Sequence, residues 1–129
     1  MDGILAGERE GPISPSPKPC GLLVGGTSAP LVDAVVASLM GFDYRKIPLV
    51  REAFSPGELP LVDFEPSAIQ VHSNAPEFDG MDLLHPRRHF GFVPSYGWQG
   101  HIELEEVDPA VYARSGSELE RKAAVGRTY

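Results

Sequence analysis

The apolar positions between residues 20 and 40 change from a short run to a helical repeat. CGLLVGG at 20–26 ends on two glycines and predicts a strand with a glycine exit. In the stretch that follows, Leu31, Val35 and Leu39 form one i,i+4 row, and Val32, Val36 and Met40 form the next. Rows at that spacing share one wide helical face, so a helix is predicted from near Ala29 to Met40, packed against a sheet or another helix. Ser28 is placed to accept a free amide of the first turn, and Pro30 falls where no helical donor is needed. Gly41 suits the left-handed residue that follows a helix. The predicted fold class is therefore α/β, a small sheet with a strand–turn–helix unit at residues 20–40.

The flanking segments are more broken. Pro15, Pro17 and Pro19 exclude a helix interior, which leaves residues 1–19 as an extended loop or edge strand, a disordered leader, or a stiff loop holding Glu8 over a pocket. Residues 43–54 predict a second helix interrupted at Pro48, with Val50 and Phe54 on one side, stopping where SPGELP punctuates the chain. Residues 61–64 and 68–73 predict short strands, and APEFDGMDLLHPRR predicts loop. IELEE alternates as a half-exposed strand would, Asp108 and Pro109 open a short helix over 109–118, and residues 121–129 read as a frayed tail or an exposed helix end.

Composition narrows the class. A chain of 129 residues with 42% hydrophobic and 22% charged side chains fits one folded domain, and 14 Gly with 13 Pro predict much loop. Eleven basic against 18 acidic side chains give a net charge of −7, which disfavours generic binding to nucleic acid or anionic membranes. The single cysteine excludes an internal disulfide. No run approaches the roughly 20 apolar residues of a membrane span, and MDGILAGEREGP lacks the pattern of a signal peptide, so a soluble cytoplasmic protein is expected.

The candidate chemistry begins with carboxylates. Asp2, Glu8 and Asp33 suit a divalent cation or a polarised substrate, with Asp33 as the first metal ligand to test and Glu8 as a base. The simpler explanation of Asp33 is that the helix dipole and the unpaired amides of the first turns stabilise a negative charge there. Gly25 to Ser28, with Gly26 and Ser28 at the turn, offer amides to an anion, or simply make a tight turn; no GxGxxG or GxxxxGK[ST] fingerprint is present. Arg87 and Arg88 form a basic spot able to grip a carboxylate or phosphate, or merely to balance an acidic surface. His72, His85, His89 and His101 are dispersed, and zinc is a weak prediction. Phe90 and Phe92 are expected in packing, while Trp98, in a Gly-Trp-Gln-Gly turn, is expected to be more exposed at a pocket or interface. Cys20 reads as a small buried hydrophobe.

The stretch from Asp2 to Phe54 resembles the C-terminal part of the uncharacterised DUF362 family. The resemblance is carried by Asp2-Gly3, Glu8, Gly11-Pro12, Gly26, Asp33 and Met40-Gly41, while Arg9, Glu10 and Ser28 depart from the commoner pattern. It implies an α/β fold and functional weight for Asp2, Glu8 and Asp33, in a single divergent domain over 1–129 or a C-terminal fragment of one. Family proteins are generally longer and some carry ferredoxin-type cysteine motifs. This chain, with Cys20 alone, supplies no iron–sulfur cluster by itself. Two functional expectations follow: a domain binding a small anionic ligand or a divalent cation near Asp2, Glu8 and Asp33, or a noncatalytic protein-interaction or assembly module. A homo-oligomer or a larger protein partner is expected to cover the apolar helix rows.

Overall fold

The computed structural model describes residues 1–58 and 60–105. The helix expected over 109–118 and the tail at 121–129 lie outside the described residues. Within them the fold is mixed α/β: a hairpin of β1 (Asp2–Glu10) and β2 (Ser14–Leu23), the helix α1 (Ala29–Met40), a short helix α2 (Pro48–Glu52), and long ordered loops.

Strand β2 begins six residues before the predicted 20–26 strand and ends at Leu23, so 24–26 is connection and the proline-rich segment is sheet. The register explains how three prolines fit a ladder. Leu5, Gly7 and Arg9 face Pro19, Pro17 and Pro15, whereas Ala6, Glu8 and Glu10 face Lys18, Ser16 and Ser14. Antiparallel partners alternate between pairs that exchange backbone bonds and pairs that do not, and prolines two apart all occupy the second kind. Their missing donors therefore lie on the outer edge of β2. Arg9 fits this arrangement, because its backbone N donates away from β2, to Val93 O at 2.9 Å. Near the open end Ile4 stands against both Cys20 and Gly21, a bulge with Gly21 at φ 68°.

Helix α1 has its predicted ends. Ser28 is extended and its side chain accepts from Leu31 N at 3.4 Å. At the other end Gly41 N donates to Ser38 O and Phe42 N to Ala37 O, at 2.9 and 2.8 Å, with Gly41 at φ 93°. His89 packs on that glycine so closely that an added Cβ would stand 2.7 Å from its Nδ1. The next free carbonyls are satisfied by remote loops. Phe90 N donates to Leu39 O, Phe92 N to Met40 O and Leu104 N to Gly41 O. The helix exit is thus clasped by residues 90–92 on one side and 102–104 on the other.

The core sits on this exit, where Val35, Ala37, Leu39, Phe42, Val50, Met81, Leu83, Phe92 and Ile102 are buried together. Ala34 and Ser38 are fully covered, so the buried face of α1 is centred on small residues that flank the Leu31–Val35–Leu39 row on the side away from Val32, Val36 and Met40. Val35 and Leu39 are buried as expected, while Val36 and Met40 are only half-buried. The interrupted second helix appears as a 3₁₀ turn (Tyr44–Lys46) and α2, with Pro48 opening the latter. Val50 is buried there, and Phe54 meets Tyr44 and Phe64 edge-on.

The strands predicted at 61–64, 68–73 and from Ile102 are corrected. Among the described residues the sheet is the hairpin alone, supplemented by one isolated bridge between Phe42 and Glu103. Ile69 and Val71 are half-buried against the core without a ladder, and Pro66–Ala68 forms a 3₁₀ turn.

Candidate functional site

A cleft of about 450 Å³ opens between β1, α1, α2 and the 92–98 segment. Its walls are chiefly apolar, with Val36, Met40, Phe42, Ile47, Val50, Phe92 and Ile102 among them. Leu49 and Trp98 also line it, and they are 81% and 45% exposed. The half of α1 left uncovered by the core, Val36 and Met40, is therefore one wall of this space. A second cavity of about 140 Å³ lies between the hairpin and α1, and Gly7, Val36, Met40 and Phe92 border both.

Three of the sequence-predicted site residues meet at the larger cleft: Glu8, Asp33 and Trp98. Their environments differ sharply. Glu8 Oε2 accepts from Lys18 Nζ at 2.8 Å and from Val93 N at 2.9 Å, with its side chain 9% exposed. Lys18 sits diagonally across the hairpin from Glu8, bonds Gly91 O at 3.0 Å and lies 5.1 Å over the Phe92 ring. Glu8 thus ties the hairpin to the loop that clasps the helix exit. Glu10 extends the tie by accepting from Tyr96 N at 2.7 Å.

Asp33 is exposed on α1, in its second turn. Helix-end stabilisation fades beyond the first turn, and Ser28 already caps this end, so the dipole is a weak explanation of its placement. Arg9 also lines the cleft and is itself engaged. Trp98 belongs to a 3₁₀ turn and Phe92 is buried, in line with the expected division between exposed and packed aromatics.

The remaining candidates lie elsewhere. Asp2 borders the smaller cavity, and its Oδ1 accepts from Ile4 N at 2.9 Å. Among the described residues no group of three or more His, Cys, Asp and Glu side chains is placed to hold a metal ion, so Asp2, Glu8 and Asp33 do not form one ligand cluster. Gly26 packs closely on the first turns of α1, where a Cβ would meet the side-chain methyls Leu31 Cδ2 at 2.7 Å and Val32 Cγ2 at 2.9 Å. The Ser28 hydroxyl is occupied in capping α1. Arg88 pairs with Glu77 at 3.2 Å on the surface, Arg87 is exposed, and neither borders the cleft.

Two further acids are buried for structural reasons. Asp43 receives Arg45 through Nε and Nη2 at 2.9 and 2.7 Å and also caps Arg45 N, and the guanidinium holds its carboxyl below the ordinary range. Glu103 accepts from Gly100 N and Ile102 N, each at 3.0 Å. Burial pushes the half-buried Cys20 thiol above its ordinary pKa, which suits a packing residue better than a nucleophile.

Lys18, Leu49 and the Val93–Ser95 stretch were not singled out from the sequence, although all belong to the site or its support. Lys18 carried a usable signal. Between Pro17 and Pro19 it must hold a bonded ladder position, which fixes its side chain opposite theirs. No helix among the described residues is long and apolar enough to cross a membrane. No family model, curated protein or solved structure matches the chain.

Proposed function

We propose that this domain is a noncatalytic binding module of DUF362-like type whose cleft takes the apolar body of a ligand. The observation that carries this reading is the cleft of about 450 Å³, walled by aliphatic and aromatic side chains, with Leu49 and Trp98 exposed at it. Such a site gains about 25 cal/mol for each Å² of apolar surface it removes from water. The divalent-cation reading has less support, because Glu8 Oε2 already accepts two donors and Asp2 borders a different cavity. The DUF362 likeness is part of the proposal. Its support is that Gly26, Asp33 and Met40-Gly41 occupy defined places at the start, the exposed side and the end of α1.

Titration with a neutral fluorescent arylamine tests the module. Saturable binding near one site per chain is expected, weakened at least tenfold by Val36→Phe, which fills the wall shared by both cavities. A signal that rises without saturating, or one indifferent to Val36→Phe in a variant with an unchanged urea midpoint, overturns the reading.

A second reading, association between two copies of the chain, has its own observation: Ile4, Leu5 and Leu23 of the hairpin are 58%, 67% and 72% exposed. Light scattering over a concentration series tests it. A concentration-dependent dimer is expected, and a monomer throughout refutes it.

A further inference from the structure

We infer that the ligand of this cleft carries a positive charge beside its apolar body, an ammonium or guanidinium group, received by the Asp33 carboxylate. The inference rests on the cleft reading above and adds the charge of the occupant.

The charged groups that line the cleft are Glu8, Arg9 and Asp33. Glu8 is neutralised by Lys18 at 2.8 Å and sealed by Val93 N, so it offers an incoming cation little. Arg9 is engaged already, which lessens its pull on an anion. Asp33 differs from both. It is exposed and forms no hydrogen bond or ion pair with any other described residue. An unpaired carboxylate beside an apolar wall is a receptor for a cation whose body fills that wall.

Trp98 strengthens the selection, because an exposed indole at the same cleft attracts a cation by its ring face. The overall charge of −7 favours approach of a cation and opposes that of an anion. Glu10, which receives Tyr96 N next to this segment, adds to the same field.

Three straight-chain probes of equal length separate the charge from the cleft: an alkyltrimethylammonium, the corresponding alcohol and the corresponding carboxylate, each read through Trp98 fluorescence on the full chain. The ammonium is expected to bind about 5- to 20-fold more tightly than the alcohol, from one exposed ion pair and one cation–π contact. The carboxylate is expected to bind weakest. Asp33→Asn should cut the ammonium-to-alcohol ratio to the roughly 2- to 5-fold that the Trp98 contact alone supplies, and raising ionic strength should narrow it in the unsubstituted protein. Equal binding of ammonium and alcohol, or a ratio undiminished by Asp33→Asn, overturns the charge assignment while leaving the cleft reading intact. Failure of all three probes to saturate, or indifference of all three to Val36→Phe, overturns both.

Discussion

Glu8→Ala removes the acceptor that joins three parts of the chain: Lys18 on β2, Val93 on the clasping loop and β1 itself. A hydrogen bond involving a charged group contributes about 1.5–3 kcal/mol, and a buried donor left unpaired costs about 1–3 kcal/mol. The carboxylate is 9% exposed and Lys18 21%, so solvent screens this pair only in part. Lys18 keeps its bond to Gly91 O and its place over Phe92, which returns some of the loss. The net expectation for Glu8→Ala is a destabilisation of about 2–4 kcal/mol. Glu8→Gln keeps an acceptor oxygen without the charge and should cost about 1–2 kcal/mol. Urea unfolding measures both, and a double-mutant cycle with Lys18→Met isolates the pair, with a coupling of about 1–2 kcal/mol expected. A loss below about 0.5 kcal/mol for Glu8→Ala, together with zero coupling to Lys18, would refute a structural tie and return Glu8 to the list of ligand-binding groups.

Gly41→Ala meets two penalties, the left-handed φ of 93° and a Cβ 2.7 Å from His89 Nδ1, and should lower stability by about 2–3 kcal/mol in urea unfolding. Asp43, held ionised by Arg45, has a depressed folded pKa, so its contribution is present above the unfolded value near about pH 4 and is lost as pH falls through the folded one. The urea midpoint of Asp43→Asn should therefore lie below that of the unsubstituted protein at neutral pH, and the gap should close in acid. Cys20, half-buried with a raised pKa, should react with a thiol reagent at neutral pH at least tenfold more slowly in the folded protein than in denaturant.

Helix α1 was legible because its determinants are local. Ser28, the two apolar rows and Gly41 define its ends and a face, and no distant partner is needed to read them. Which part of that face is buried was not local: Ala34, Ala37 and Ser38 are covered because small residues let Met81 and the helix exit come close, and Ser38 Oγ stands 4.0 Å from Met81 Sδ. The same difference governs the strands. Ile69 and Val71 have strand-like side chains but no backbone ladder, while Phe90 and Phe92, two apart as in a strand, find their acceptors on the end of α1. Pairing with a helix terminus leaves no pattern in the segment that does it. At the site, Glu8, Asp33 and Trp98 were identifiable by residue type, and only the fold separates the tied carboxylate from the unpaired one.

The alternating prolines of β2 have a consequence for crowding. A strand approaching that side meets carbonyl oxygens at Pro15, Pro17 and Pro19 with no amide hydrogen between them, so it can form at most half of a ladder. The hairpin therefore cannot seed a stack of sheets from that flank, and fibre growth, which needs both sides of every strand, is blocked at its first layer. Whatever joins this sheet must enter past β1, where Val93 already holds the Arg9 amide at one end. The protein carries a ribbon with a single direction of growth, partly occupied by its own chain.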